Sequence, residues 1–242
     1  MNKTFVIGDI HGALKALEQV LERAEISKDD TLIFLGDYVD GWSQSPQVLD
    51  FLMELKEHRS CIFIQGNHDD FCNKWLKTGE SNEQWLYHGG QATIDAYHGI
   101  GAATRERHLE FLGQLRNYYL DDDNRLFLHA GFTSLHGVEH EYFPEMLYWD
   151  RTLWETALSL DTSISEDEYR YPARLTHYRE IFIGHTPVTR IGKLTPVNAA
   201  NVWNVDTGAA FKGPLTIMDV STKMFWQSEP VWELYPRENG RN

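Results

Sequence analysis

The sequence predicts an α/β fold built from consecutive βαβ units, with a site gathered at the carboxyl ends of parallel strands. Short apolar runs suited to buried strands recur at intervals of about 30 residues through the first third of the chain. The intervals between them carry apolar residues at helical spacing. Each of these runs, and two later ones, ends directly in a short motif of glycine with Asp, Asn or His. In order these are Gly8-Asp9-Ile10-His11-Gly12, Gly36-Asp37-Tyr38-Val39-Asp40-Gly41, Gly66-Asn67-His68-Asp69, His129-Ala130-Gly131 and Gly184-His185-Thr186. In sheets of this kind ligands collect beyond the carboxyl ends of the strands, so such motifs belong together.

Element by element, Thr4 to Ile7 is the first strand, with Gly8 to Gly12 as the turn at its end. Leu14, Leu17, Val20 and Leu21 then mark one face of a helix, charged residues falling between them. Thr31 to Leu35 is the second strand, Val48, Leu49, Leu52 and Leu55 the second helical stripe, and Cys61 to Ile64 the third strand. Residues 69–118 are polar and aromatic with helical stretches, notably Arg105 to Leu115. Asn117 to Leu120 and Arg125 to Leu128, joined by Asp121-Asp122-Asp123-Asn124, read as a hairpin that delivers His129. Residues 132–179 set Tyr142, Phe143, Tyr148, Trp149, Trp154, Tyr169 and Tyr171 among many acids, which suits either a cap over the site or a helical buttress behind the sheet. Ile181 to Ile183 is a further strand, and Val202 to Val205, Leu215 to Val220 and Lys223 to Trp226 close the fold, the last two as a hairpin.

At 242 residues and 42% apolar, the chain can bury a large core as one domain. Residues 1–235 are expected to form it, with 69–118 and 132–179 as helical or cap insertions and 236–242 as a loose tail. The net charge of −14 argues against a binder of nucleic-acid backbones, which carries basic stripes. No signal-peptide pattern opens the sequence, and no apolar stretch approaches the roughly 20 residues of a membrane helix. With only Cys61 and Cys72, a disulfide framework is not expected, and a reducing cytoplasmic setting is. Nothing in the sequence fixes the oligomeric state.

Taken together and in this order, the five motifs resemble those of the metal-dependent phosphoprotein phosphatases, a calcineurin-like metallophosphoesterase superfamily that includes diadenosine tetraphosphate hydrolases. The resemblance runs from residue 4 to 211. It implies a sandwich built from βαβαβ units with a dinuclear metal site. By this resemblance Asp9, His11 and Asp37 bind the first metal, and Asp37, Asn67, His129 and His185 the second, Asp37 being the bridge. The donor types agree, since hard divalent cations take oxygen and imidazole ligands. Two divalent ions are implied, manganese first, with iron or zinc also suited to Asp, His and Asn. They would hold a hydroxide for in-line attack on phosphorus. His68 matches the residue that protonates the leaving oxygen, Asp40 the carboxylate that orients its ring, and Arg151, in Tyr148-Trp149-Asp150-Arg151, a substrate arginine of bacterial members. A turn cap for Asp40 and an ion pair to Asp150 or Glu155 for Arg151 are the plainer alternatives.

Three positions depart from the family pattern. Gly41 and Gln65 stand where arginines usually bind phosphate, and Pro187 stands where diesterases and nucleases carry a second histidine. The first expectation is a phosphomonoesterase of the serine/threonine protein phosphatase type, acting on a phosphorylated protein or a small phosphate ester. The second is a bis(5'-nucleosyl)-tetraphosphatase, for which aromatic residues near the site would stack a base. A third, of another class, is a binding module that has lost catalysis on the same fold.

Overall fold

The computed structural model describes residues 2–241, so Met1 of the expected domain and Asn242 of the expected tail lie outside the described residues. Thr4–Ile7 (β1), Thr31–Phe34 (β2) and Ser60–Phe63 (β3) pair in parallel, Thr4 opposite Thr31 and Thr31 opposite Ser60. Leu14–Arg23 (α1) and Ser45–His58 (α2) make the crossovers, and their apolar stripes bury Leu17 and Val20, and Val48, Leu49 and Leu52. The βαβαβ unit expected from the sequence is therefore present.

The second sheet is built from Tyr118–Leu120 (β4), Arg125–Leu128 (β5), Glu180–Ile183 (β6), Val197–Ala199 (β7) and Val202–Asn204 (β8), in the order β4-β5-β6-β8-β7. Its three central strands are parallel, and the expected β4–β5 hairpin is antiparallel. Thr216–Asp219 (β9) and Phe225–Gln227 (β10) return to the first sheet as an antiparallel hairpin, giving β10-β9-β1-β2-β3. The strand β7 was not expected, because Val197-Asn198-Ala199 is too short and too polar to show a period.

The two sheets face each other. Val6, Ile33, Ile64 and Met218 of the first meet Phe127 and Phe182 of the second, the two rings stacked at 4.8 Å. Each of these side chains, fully removed from water, contributes about 1.5–3 kcal/mol. Helices α1 and α2 cover the outer face of the first sheet. On the outer face of the second, Leu147, Leu153, Trp154, Ala157 and Leu175 pack on Leu126, Leu128, Ile181 and Ile183. This part of residues 132–179 packs behind the sheet, while the aromatic side chains Tyr142, Phe143 and Tyr169 are exposed.

The segment from residue 236, expected to be a loose tail, is hydrogen-bonded to the rest of the chain. Glu238 accepts hydrogen bonds from the backbone N–H and hydroxyl of Ser43, and Arg241 N–H donates to the Ala210 carbonyl at 2.7 Å. Terminal segments are loose unless tied down, and here specific hydrogen bonds tie this one down.

Candidate metal centre

The loops after β1, β2, β3, β5 and β6 converge, because parallel strands point their carboxyl ends the same way. They bring together Asp9, His11, Asp37, Asn67, His129 and His185, all buried. The backbone is forced at three of them, with φ of 54° at His11, 52° at Asp37 and 65° at His185, and at neighbouring Asp40, where it is 75°. Such left-handed conformations in non-glycine residues cost of order 1–3 kcal/mol each and concentrate at functional sites.

Asp37 sits at the middle. Its Oδ2 lies 3.4 Å from His11 Nε2 and 3.4 Å from His129 Nε2. Asp9 Oδ2 is 3.9 Å from His11 Nε2, and Asn67 Oδ1 is 3.2 Å from His129 Nε2 and 3.0 Å from His185 Nδ1. Donor atoms of Asp37, His129 and His185 form one group compact enough for a cation, and those of His11, Asp37 and His68 another, sharing Asp37. Backbone carbonyls set the ring orientations: His11 Nδ1 faces Val39 O at 3.2 Å and His129 Nδ1 faces Leu35 O at 2.8 Å. An Nδ1–H donating to a carbonyl leaves Nε2 as a free lone pair, as metal-binding histidines require.

Electrostatics point the same way. Burial, with Asp206 and Asp37 beside it, pushes the Asp9 carboxyl well above its usual range, and Asp9 Oδ1 is buried with no hydrogen-bond partner among the described residues. Burial also pushes Asp206 up, to about 6. Asp37 is pushed up by burial, but the imidazoles of His129 and His68 pull it well below the carboxylate range. Burial holds His11 and His185 well below the usual imidazole range, in the neutral form that binds metals. An orphaned carboxylate oxygen among neutral imidazoles and acids is a donor set suited to divalent cations.

His68 and Asp40 meet as the sequence suggested, Nδ1 to Oδ2 at 2.6 Å. Asp40 is wholly buried and fully bonded: Trp85 Nε1–H donates to Oδ2 at 2.6 Å and the Thr93 hydroxyl to Oδ1 at 2.6 Å. Trp85 and Thr93 come from the 69–118 insertion and carried no motif that could have marked them. Asp69 has a structural task, its oxygens accepting from the backbone N–H groups of Asp37, Tyr38 and Gly66 at 2.8–2.9 Å. It thereby ties the second loop to the start of Asn67–Thr78 (α3).

Arg151 reaches the centre: its Nε–H donates to His185 Nε2 at 3.2 Å. Its alternative partner Asp150 instead accepts from Thr152 and the Leu153 N–H. A cavity of about 870 Å³ opens beside the cluster, walled by Trp149, Arg151, Arg190, Phe211, His88 and Arg241. It is continuous with a small recess lined by Asn67, His68 and His185 through those shared walls. At Gln65, one of the departures, the backbone N–H donates to the Arg116 carbonyl at 2.7 Å. His136 and His140 are exposed.

The sequence profile of the calcineurin-like phosphoesterases matches residues 3–210. The asymmetrical bis(5'-nucleosyl)-tetraphosphatase of Oceanobacillus iheyensis is 27% identical over 240 residues, covering 92% of this chain and 90% of that protein. A protein of the same name from Bacillus anthracis is 26% identical over 234 residues, covering 88% of each. A crystal structure of a candidate diadenosine tetraphosphatase is similar at TM-score 0.65 and 19% identity, covering 93% of this chain and 92% of that one. A cold-active protein-tyrosine phosphatase of a psychrophilic Shewanella follows at TM-score 0.59 and 14% identity, covering 95% and 81%. At these identities the solved structures speak to the fold alone.

Proposed function

The chain belongs to the calcineurin-like phosphoesterases, metal-dependent hydrolases of phosphoric ester bonds, and on that premise we propose that it cleaves dinucleoside polyphosphates. The observation that carries this reading is the cavity beside the donor cluster. In a chain of net charge −14, the guanidinium groups of Arg151, Arg190 and Arg241 share its wall with the rings of Trp149 and Phe211. A polyphosphate chain needs several cationic partners, and a nucleobase needs an aromatic face. The names of the curated relatives support the same substrate class. The order of the two enzymatic expectations is therefore reversed, with the dinucleotide reading ahead of the protein phosphatase.

In this reading Asp9, His11 and Asp37 hold one divalent cation and Asp37, Asn67, His129 and His185 the other, manganese being the ion to try first. When bound, such ions supply Lewis acidity at phosphoryl oxygens and an activated water. Arg151 holds a phosphoryl oxygen. His68 gives a proton to the departing oxygen, and Asp40, fixed by Trp85 and Thr93, keeps the imidazole in place. The test is product analysis with the manganese-loaded chain. Diadenosine tetraphosphate plus water should give ATP and AMP, with kcat/KM above that for a phosphoserine peptide. A phosphoserine peptide turned over more efficiently would return the protein phosphatase reading to first place.

A further inference from the structure

Arg241 lies on the segment from residue 236 that was expected to be loose, yet its side chain ends at the centre. Nη1 is 3.4 Å from His11 Nε2, and the guanidinium lies over the Phe211 ring at 5.5 Å from its centroid. Nε is buried and has no hydrogen-bond partner among the described residues. A desolvated guanidinium N–H without an acceptor is expensive to keep. The site therefore offers a cationic donor with capacity to spare.

The path that brings it there is built. Arg241 Cγ passes where side chains at Gly41 and Gly89 would otherwise stand, 3.1 and 2.9 Å from the Cβ positions of those two residues. Gly240 turns with φ of 64°, and a Cβ on it would lie 2.6 Å from Ala210 O and 2.7 Å from the Trp42 ring. Trp42 is itself pinned, its Nε1–H donating to Ala209 O at 2.8 Å and its ring stacked on Tyr235. Glu238 on Ser43 completes the seating.

We propose that Arg241 is a substrate-binding residue whose guanidinium takes a phosphoryl oxygen at the His11 side of the centre, opposite Arg151 at the His185 side. The inference rests on the proposed metal centre but not on dinucleotide specificity. Arg241→Ala in the full, manganese-loaded chain should weaken binding of inorganic tripolyphosphate roughly 10- to 100-fold, the worth of a charge-assisted bond. Calorimetric titration reads this directly, and inhibition of p-nitrophenyl phosphate hydrolysis should weaken in step, with metal content unchanged. Arg241→Lys, a point charge without the fork, should fall between the two. Gly240→Ala, which keeps the arginine in the chain but unseats the segment that carries it, should reproduce the Arg241→Ala loss. Tripolyphosphate affinity within about twofold of the wild type in Arg241→Ala, or a loss of metal that accounts for the weaker binding, overturns the proposal. Failure to cleave diadenosine tetraphosphate would touch only the substrate reading, since neither readout uses that compound.

Discussion

At Asp37 burial and charge act against each other, and the surrounding imidazoles win, leaving an ionised carboxylate between two groups of donors. A bridging position needs that charge, because a neutral amide cannot offset two cations. Asp37→Asn should therefore lose both metals and all measurable phosphoesterase activity together; two metals per chain with near-normal turnover would rule out the bridge. His68 presents a different case. Its Nδ1 is held by Asp40, leaving Nε2 for the substrate. His68→Ala should lower turnover by roughly 10²–10⁴-fold with both metals retained, the usual worth of general acid assistance. Across a series of aryl phosphates the loss should shrink as the leaving group improves, since a good leaving group needs no proton. A loss equal for nitrophenolate and for a poor leaving group would show that His68 does not act as the acid.

The elements matter through how closely their ends approach. Gly184, after β6, faces Asp9 across the two sheets, and a methyl group there would overlap Asp9 Oδ1. Gly184→Ala should push that carboxylate away and cut metal content and turnover together, by the order of 10²-fold that a 1 Å misplacement brings. Gly101, with open space around it, is the control, and Gly101→Ala should change neither. Equal effects of the two substitutions would mean that the Gly184 loop does not need its close approach. This approach also shows what the sequence could reveal. The motifs with Gly184 and Gly66 were legible because strand-end loops pack their chemistry into few contiguous residues. The α1 and α2 stripes were legible because burial on one face imposes a period. Trp85 and Thr93 were not, since a single indole N–H or hydroxyl aimed at Asp40 from a distant insertion leaves no local pattern. At position 41 the glycine makes room for Arg241 to pass, a long-range approach that leaves no local pattern either.

At the scale of the molecule, the candidate ligands are divided between the sheets. Asp9, Asp37 and Asn67 follow strands of the first sheet, His129 and His185 strands of the second. Beneath them the sheets share one buried layer, with Phe127 and Phe182 against Val6, Ile33 and Met218. A cation bound across that seam binds only the folded chain, because unfolding separates its ligands, so binding free energy becomes folding free energy. One site filled at a hundred times its dissociation constant adds about 2.7 kcal/mol. For a chain of this size each kcal/mol moves the midpoint by roughly 2–4 °C. Saturating manganese should thus raise Tm by about 5–10 °C over the chelator-treated protein, and the shared layer should keep the transition single in both. The gain should vanish in Asp37→Asn, which removes the proposed common ligand. Calorimetry on the two forms decides the matter. Equal midpoints despite bound metal would mean that the ions do not join the sheets, and two separate transitions would mean that the layer between Phe127 and Val6 does not couple them.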